Sequence, residues 1–290
     1  MNVVSIAWSK QQRLEFIEFR CFWEGLVNRA DLIDTFSISV PQATKDFAQY
    51  LDLAPGNIAY DKRVKAYLAG PNFKPIFSAL DPDDYLSRLS DSITHPSESS
   101  WLKNVPATTL IARPYRAVEA NILRAVASAV RGNQSLNIHY QSMSSPDPTW
   151  RTIHPHAFAS DGYRWHTRAW CPKDACFKDF VLSRIDATSI GGASDIDPAL
   201  DIAWHELVEI EIEPHPGLSP GQRKALALEY GMQDGRTVLT VRRALEYYAL
   251  RQLGLGAGHQ ARPAHEQHII RGNAPREFLS SESKSAKKNG

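Results

Sequence analysis

Tyr163-Arg164-Trp165-His166-Thr167-Arg168-Ala169-Trp170-Cys171-Pro172, entered from an Asp161-Gly162 turn, decides how the middle of this 290-residue chain is read. Its aromatic residues favour a pleated strand. A period of two then puts His166 and Arg168 on one face and Trp165 and Thr167 on the other. The pattern extends outward on both sides. Ile138-His139-Tyr140-Gln141-Ser142-Met143-Ser144 alternates, with Tyr140 and Ser142 sharing a face. Past a Pro-rich turn comes Arg151-Thr152-Ile153-His154-Pro155-His156-Ala157-Phe158, and Phe177 to Ile185 closes the series. From Leu136 to about Ile190 the chain therefore reads as short strands. Directly upstream, Arg116 to Val130 predicts a helix with Val118, Ile122, Ala125, Val126 and Ala129 along one face and Gly132 as its stop.

The first block is helical with one strand pair. A helix is expected from about Lys10 to Val27, with Leu14, Ile17 and Cys21 inward. Asn28 is an N-cap with Asp31 three residues on, as in a capping box, and starts a short helix from Arg29 to Phe36. After Ser37-Ile38-Ser39 a third helix runs from Val40 to Leu51, burying Val40, Ala43, Phe47 and Leu51, with Pro41 harmless in its first turn. Two short helices across a tight turn, behind a longer one, make a helix-turn-helix. The outer face of the third helix would carry Gln42, Thr44, Lys45 and Gln49, side chains able to bond base edges or phosphates. Ile58 to Tyr67 reads as a β-hairpin with Lys62, Arg63 and Lys65 at its tip and Lys74 beyond, a basic wing for backbone phosphates. The plainer alternative is a small α+β domain with no DNA role.

Bulk charge does not argue for nucleic acid. The net charge is +1, and the first 95 residues hold 10 Lys and Arg against 12 Asp and Glu. A DNA surface must come from local placement. No stretch approaches the roughly 20 apolar residues of a membrane span, and the N-terminus lacks signal-peptide order. Cys21, Cys171 and Cys176 are too few for a disulfide framework, so reduced thiols and a cytoplasmic location are expected. Cys171 and Cys176 with nearby histidines lack the paired spacing of a zinc site, so no metal is expected. No Walker loop, dinucleotide fingerprint or nucleophile elbow is present, and no cofactor or catalytic residue is assigned. Gly254 to Gly258 follows a helix and reads as its stop.

Toward the C-terminus, Leu207 to Glu213 is a strand. Ser219 to Tyr230 is a helix capped by Ser219, Arg236 to Arg243 a strand, and Ala244 to Leu253 a helix. The expected fold is α+β and multidomain: a winged helix-turn-helix at 1–95, a linker and helix at 96–132, a sensor domain at 133–198, an α/β extension at 199–279 and a disordered tail at 280–290.

The strand series resembles the WYL domain of bacterial transcriptional regulators. The resemblance lies in the first strand ending near Tyr140, the His154-Pro155 entry, the Trp-centred strand after Asp161-Gly162, and Phe180 to Ile185. The name-giving triplet is here Trp165-His166-Thr167, different at two positions of three. Trp-His-x-Arg-Ala followed by an aromatic and Cys-Pro is similar to a subgroup of repressors beside phage-defence operons of the BREX and CBASS kinds. The Tyr60-Asp61-Lys62 wing and Ala69-Gly70-Pro71-x-Phe73-Lys74-Pro75 extend the likeness over most of the chain. The resemblance implies an Sm/SH3-like small β-barrel, dimer contacts through the C-terminal extension, and a homodimer on an inverted-repeat operator. It also implies a pocket for a nucleotide or a nucleic-acid end, lined here by Tyr140, Ser142, His154, His166, Arg168 and Arg184. Three other readings stay open: an activator of the same architecture, a nucleic-acid-processing enzyme using the Arg/His cluster, and a pure protein-interaction module. An alternative to the pocket is that these residues pair internally with Asp179 and Asp186.

Overall fold

Helix α1 (Trp8–Glu24) buries Leu14, Phe16, Ile17 and Cys21 at the centre of the first of two compact units, residues 1–112 and 113–290. The computed structural model describes residues 8–77, 80–94, 101–111, 114 and 116–272; the expected tail at 280–290 lies outside them. The helix ends earlier than Val27. Gly25 takes a φ of +78°, open only to glycine at little cost, and Leu26–Val27 then pair as β1 with Leu68 and Tyr67.

The Asn28 capping box is present in both halves and starts α2 (Arg29–Phe36). Ser37, in the left-handed region at φ 51°, turns the chain. Ser39 caps α3 (Val40–Leu53) by accepting from the Gln42 N–H. β2 (Ile58–Asp61) and β3 (Ala66–Ala69) form the hairpin, giving a sheet of order β1-β3-β2. Tyr67 on β3 stacks on Phe47 of α3 with ring centroids 4.2 Å apart, which sets the hairpin against the third helix. Pro82 opens α4 (Pro82–Thr94), with Asp83 and Asp84 in its first turn.

In the second unit, α5 (Ala120–Gly132) lays Ile122, Val126 and Ala129 on a five-stranded sheet. The strands are β4 (Gln134–Tyr140), β5 (Thr149–Ser160), β6 (Trp165–Cys171), β7 (Cys176–Val181) and β8 (Ile185–Ala193), in the order β7-β6-β5-β4-β8. The expected barrel is not formed. β7 and β8 stay on opposite edges, and among the described residues no sheet closes on itself. The chain passes between them in one 3-10 turn, Leu182–Arg184, and the Val181 N–H donates to the Tyr140 hydroxyl at 3.4 Å where a closing ladder would run. β5 bends where its register slips between Pro155 and Ala157, since proline offers no N–H to the ladder.

The remaining chain adds α6 (Ile202–His205), β9 (Leu207–Pro214), α7 (Pro220–Glu229), β10 (Thr237–Arg242), α8 (Glu246–Gln252) and β11 (Ile269–Arg271), with sheet order β10-β9-β11. Its core is Ile210, Ile212, Leu255 and Ile269. No helix among the described residues is long and apolar enough to cross a membrane. Ile138 is fully buried on β4, an interior strand held between β5 and β8. Ile138→Ala should lower stability by about 2–5 kcal/mol, seen as a lower denaturant midpoint with an unchanged slope.

Candidate functional site

In α3 a buried row of Ala43, Asp46, Phe47 and Tyr50 holds the helix against α1 and leaves the opposite row to solvent. Thr44 and Lys45 are exposed on that row, whereas Gln42 and Gln49 are only half-exposed. The Gln42 amide donates to Asp46 Oδ1 at 2.9 Å, and Asp46 also receives the Arg13 Nε at 2.6 Å. Gln42 is thereby oriented but partly occupied. Thr44 Oγ1 donates to the Val40 carbonyl at 3.0 Å and accepts from Arg29 Nη1 at 3.5 Å, bringing an α2 cation to the row. Arg29 was not selected from sequence; its position at the start of a helix beside the turn was the available signal.

Lys62, Arg63 and Lys65 are all exposed at the hairpin tip. Asp61 Oδ1 accepts the Arg63 N–H at 2.6 Å and Lys65 sits at φ 54°, so the turn is fixed by local bonds while the three ammonium and guanidinium heads face water. The wing is anchored from below. Buried Glu18 accepts from the N–H groups of Ile76 and Phe77 at 2.7 and 2.8 Å and from the Tyr50 hydroxyl at 3.1 Å. Asn57 accepts the Lys74 N–H and donates to its carbonyl.

The six residues expected to line an effector pocket do not share one cavity. Tyr140 is buried against Phe180, Ser142 bonds Ser144, and Arg184 offers its carbonyl to the Gln141 N–H; these three sit together at the end of β4. His154 bonds Ser194 at 2.8 Å on another strand. His166 and Arg168 are buried on β6. Arg168 is already matched: its Nε and Nη2 reach Asp201 at 2.7 and 3.0 Å, and its Nη1 reaches Asp179 at 3.3 Å. Asp201 also accepts from His156 Nε2 at 3.0 Å, and Tyr248 of α8 donates to Asp179 at 3.1 Å.

Burial raises the Asp201 carboxyl, but the bonds from Arg168 and His156 outweigh it and the net shift is downward. Burial lowers His156, and the Asp201 bond does not restore it. His166 is lowered for the same reason, despite the charges of Asp161 and Asp179. Both imidazoles are therefore held neutral at pH 7. The hydroxyl of Tyr248 is pushed up by burial and by Asp179.

An open cleft of 360 Å³ lies beside this network, between the Asp161–Trp165 turn and α8, lined by Arg116, Arg164 and Arg251 with Tyr163, Tyr248 and Gln252. Sequence reasoning passed over all three arginines, which stand far apart in the chain and share no spacing. Among the described residues no group of three or more His, Cys, Asp or Glu could hold a metal ion. Cys171 is buried with its Sγ 3.2 Å from Asp174, and Cys176 is exposed opposite it.

A helix-turn-helix with a basic wing, in one chain with a ligand-sized cleft on a separate unit, has the plan of a winged-helix transcriptional regulator. Three family models match in succession: the BrxR transcriptional regulator winged helix-turn-helix domain over residues 9–91, the WYL domain over 121–190, and the BrxR transcriptional regulator C-terminal dimerization domain over 207–276. A DNA-binding transcriptional repressor, CapW, of Stenotrophomonas maltophilia is 39% identical, covering 93% of this chain and 91% of that one. CapW of Escherichia coli (strain KTE188) is 38% identical over 88% and 86%. The proteasome accessory factor B/C of Arthrobacter aurescens superposes with a TM-score of only 0.26 at 16% identity, covering 81% of this chain and 42% of that one. The chain belongs to the WYL-domain transcriptional regulators, in the BrxR and CapW group.

Because His156 and His166 sit below their ordinary value of 6.5 in the fold, the unfolded chain binds protons that the folded chain refuses. Stability should therefore fall as pH drops below about 6.5, the ordinary histidine value, and His156→Gln should flatten that decline in thermal midpoints measured from pH 7.5 to 5.5. Asp201→Ala, which strips Arg168 of its bidentate partner, should cost about 3 kcal/mol in chemical denaturation.

Proposed function

We propose that this chain is a homodimeric repressor that binds an inverted-repeat operator through α3 and the β2–β3 wing and is regulated by an effector at its WYL-containing unit. The observation that carries the reading is the exposed pair Thr44 and Lys45 on α3, flanked by the Lys62, Arg63 and Lys65 tip, in a chain whose relatives are named DNA-binding repressors. α3 enters a major groove, with Thr44, Lys45, Gln42 and Gln49 toward base edges, while the wing cations meet the adjacent phosphates. Two copies joined through the C-terminal block place their third helices in successive grooves, roughly 34 Å apart or a multiple of it.

The regulated operon serves phage defence, and the protein acts in the cytoplasm. The effector is a nucleotide or a nucleic-acid end. It acts by binding the DNA-competent and DNA-incompetent states of the dimer unequally, since a ligand without differential affinity shifts nothing. Of the residues expected for it, Ser142, His154 and Arg184 are half-buried, while Tyr140, His166 and Arg168 are buried.

Selection from random duplex libraries at two salt concentrations, beside a Lys45→Ala/Arg63→Ala double variant, tests the operator reading. The wild type should select one inverted repeat. The double variant should bind more weakly, with the slope of log affinity against log salt reduced by about 2, close to one unit per lost phosphate contact. No selected sequence, or identical behaviour of wild type and variant, overturns the DNA interface.

A further inference from the structure

We infer that the cleft between the Asp161–Trp165 turn and α8 binds a 5′-phosphorylated nucleotide, with the phosphate on Arg116, Arg164 and Arg251 and the base on Tyr163 and Trp165. The inference rests on the proposal that an effector acts on this unit, and it moves the recognition surface to residues outside the set expected from sequence.

Charge is the first argument. Three arginines line the cleft against one carboxylate, Asp161. That carboxylate is already saturated by the N–H groups of Tyr163 and Arg164, at 2.9 and 2.6 Å, and by Arg164 Nε at 2.9 Å. Among the described residues the guanidinium groups of Arg116 and Arg251 make neither a hydrogen bond nor an ion pair. Guanidinium forks left without acceptors around one cavity match the oxygens of a phosphomonoester, which accepts paired N–H bonds and carries close to two negative charges.

Size and shape are the second. The cleft holds 360 Å³, and a neighbouring cavity of 280 Å³ shares Arg116, Tyr163 and Arg164 and adds Trp165 and Ser183. That is the scale of small-molecule sites and far more than one anion fills. Tyr163 is 62% and Trp165 58% exposed, and both rings line the neighbouring cavity. Rings beside a cationic groove are stacking platforms for bases.

The pocket wall is shared. Arg251, Tyr248 and Gln252 belong to α8 and the rest to the turn; a Cβ built at Gly162 would meet the Gln252 amide nitrogen at 3.3 Å. A bound phosphate thus bridges the WYL sheet and the C-terminal block.

Full-length protein would be titrated calorimetrically with 5′-phosphorylated tetrathymidylate, its 5′-hydroxyl counterpart and thymidine 5′-monophosphate, beside Arg251→Gln, Arg116→Gln and Lys45→Ala. The phosphorylated ligand should bind at least about tenfold more tightly than the hydroxyl one. Arg251→Gln and Arg116→Gln should erase that difference and Lys45→Ala should keep it. Equal binding by the mononucleotide identifies a free nucleotide as the source, and binding by the oligonucleotide alone identifies a strand end; both support the site. Indifference to the phosphate, or arginine variants that bind as the wild type does, overturns it. A preparation that selects its operator yet ignores the phosphate overturns the pocket alone. One that selects no operator overturns the regulator reading, and the phosphate comparison still decides the pocket.

Discussion

The second unit depends on one buried cation. Arg168 stands on β6 with only 7% of its surface exposed, and a guanidinium so placed is tolerable only with its acceptors in position. Asp201 supplies a bidentate partner from the turn that starts α6, and Asp179 supplies a second carboxylate from β7. Each carboxylate then recruits another element: His156 of β5 bonds Asp201, and Tyr248 of α8 bonds Asp179. Sheet, connecting turn and C-terminal helix are thereby fastened through one charge. The position of α8, and with it one wall of the arginine cleft, follows from that fastening.

The first unit uses the same device on the opposite sign. Glu18 lies fully buried in α1 and is satisfied by backbone N–H groups beyond the wing and by Tyr50 of α3. Asp46, also fully buried, takes Arg13 and Gln42. Two acids inside a small helical core fix the third helix and the hairpin relative to each other, and the exposed row of α3 is presented on that rigid base. Net charge plays almost no part: the exposed cations of α3 and the wing are a matter of where a few side chains are left to solvent.

What could be read from sequence followed the range of the forces involved. The Asn28–Asp31 capping box, the Ser219 cap, the hairpin and the alternating strands arise from neighbours within a few residues, and they stand where their spacing places them. Barrel closure is set by whether β7 and β8 meet, and no local pattern carries a contact between strands at opposite edges of a sheet. Arg168 was assigned to a ligand because Asp201, 33 residues on, gave no sign that it would consume the charge. The arginine cleft was invisible for the same reason: no local period links a linker residue, a turn residue and a helix residue.

The order in which these partners leave the ribosome differs between the two units. Every described ion pair of the N-terminal unit, ending with Lys103 on Asp31, is available once residue 103 has been made. The strand β4 must wait for β8, and Arg168 must wait for Asp201. The winged-helix unit can therefore mature while the rest of the chain is still being synthesised, and a message broken off after the first unit would yield a helix-turn-helix without the C-terminal block and without the arginine cleft.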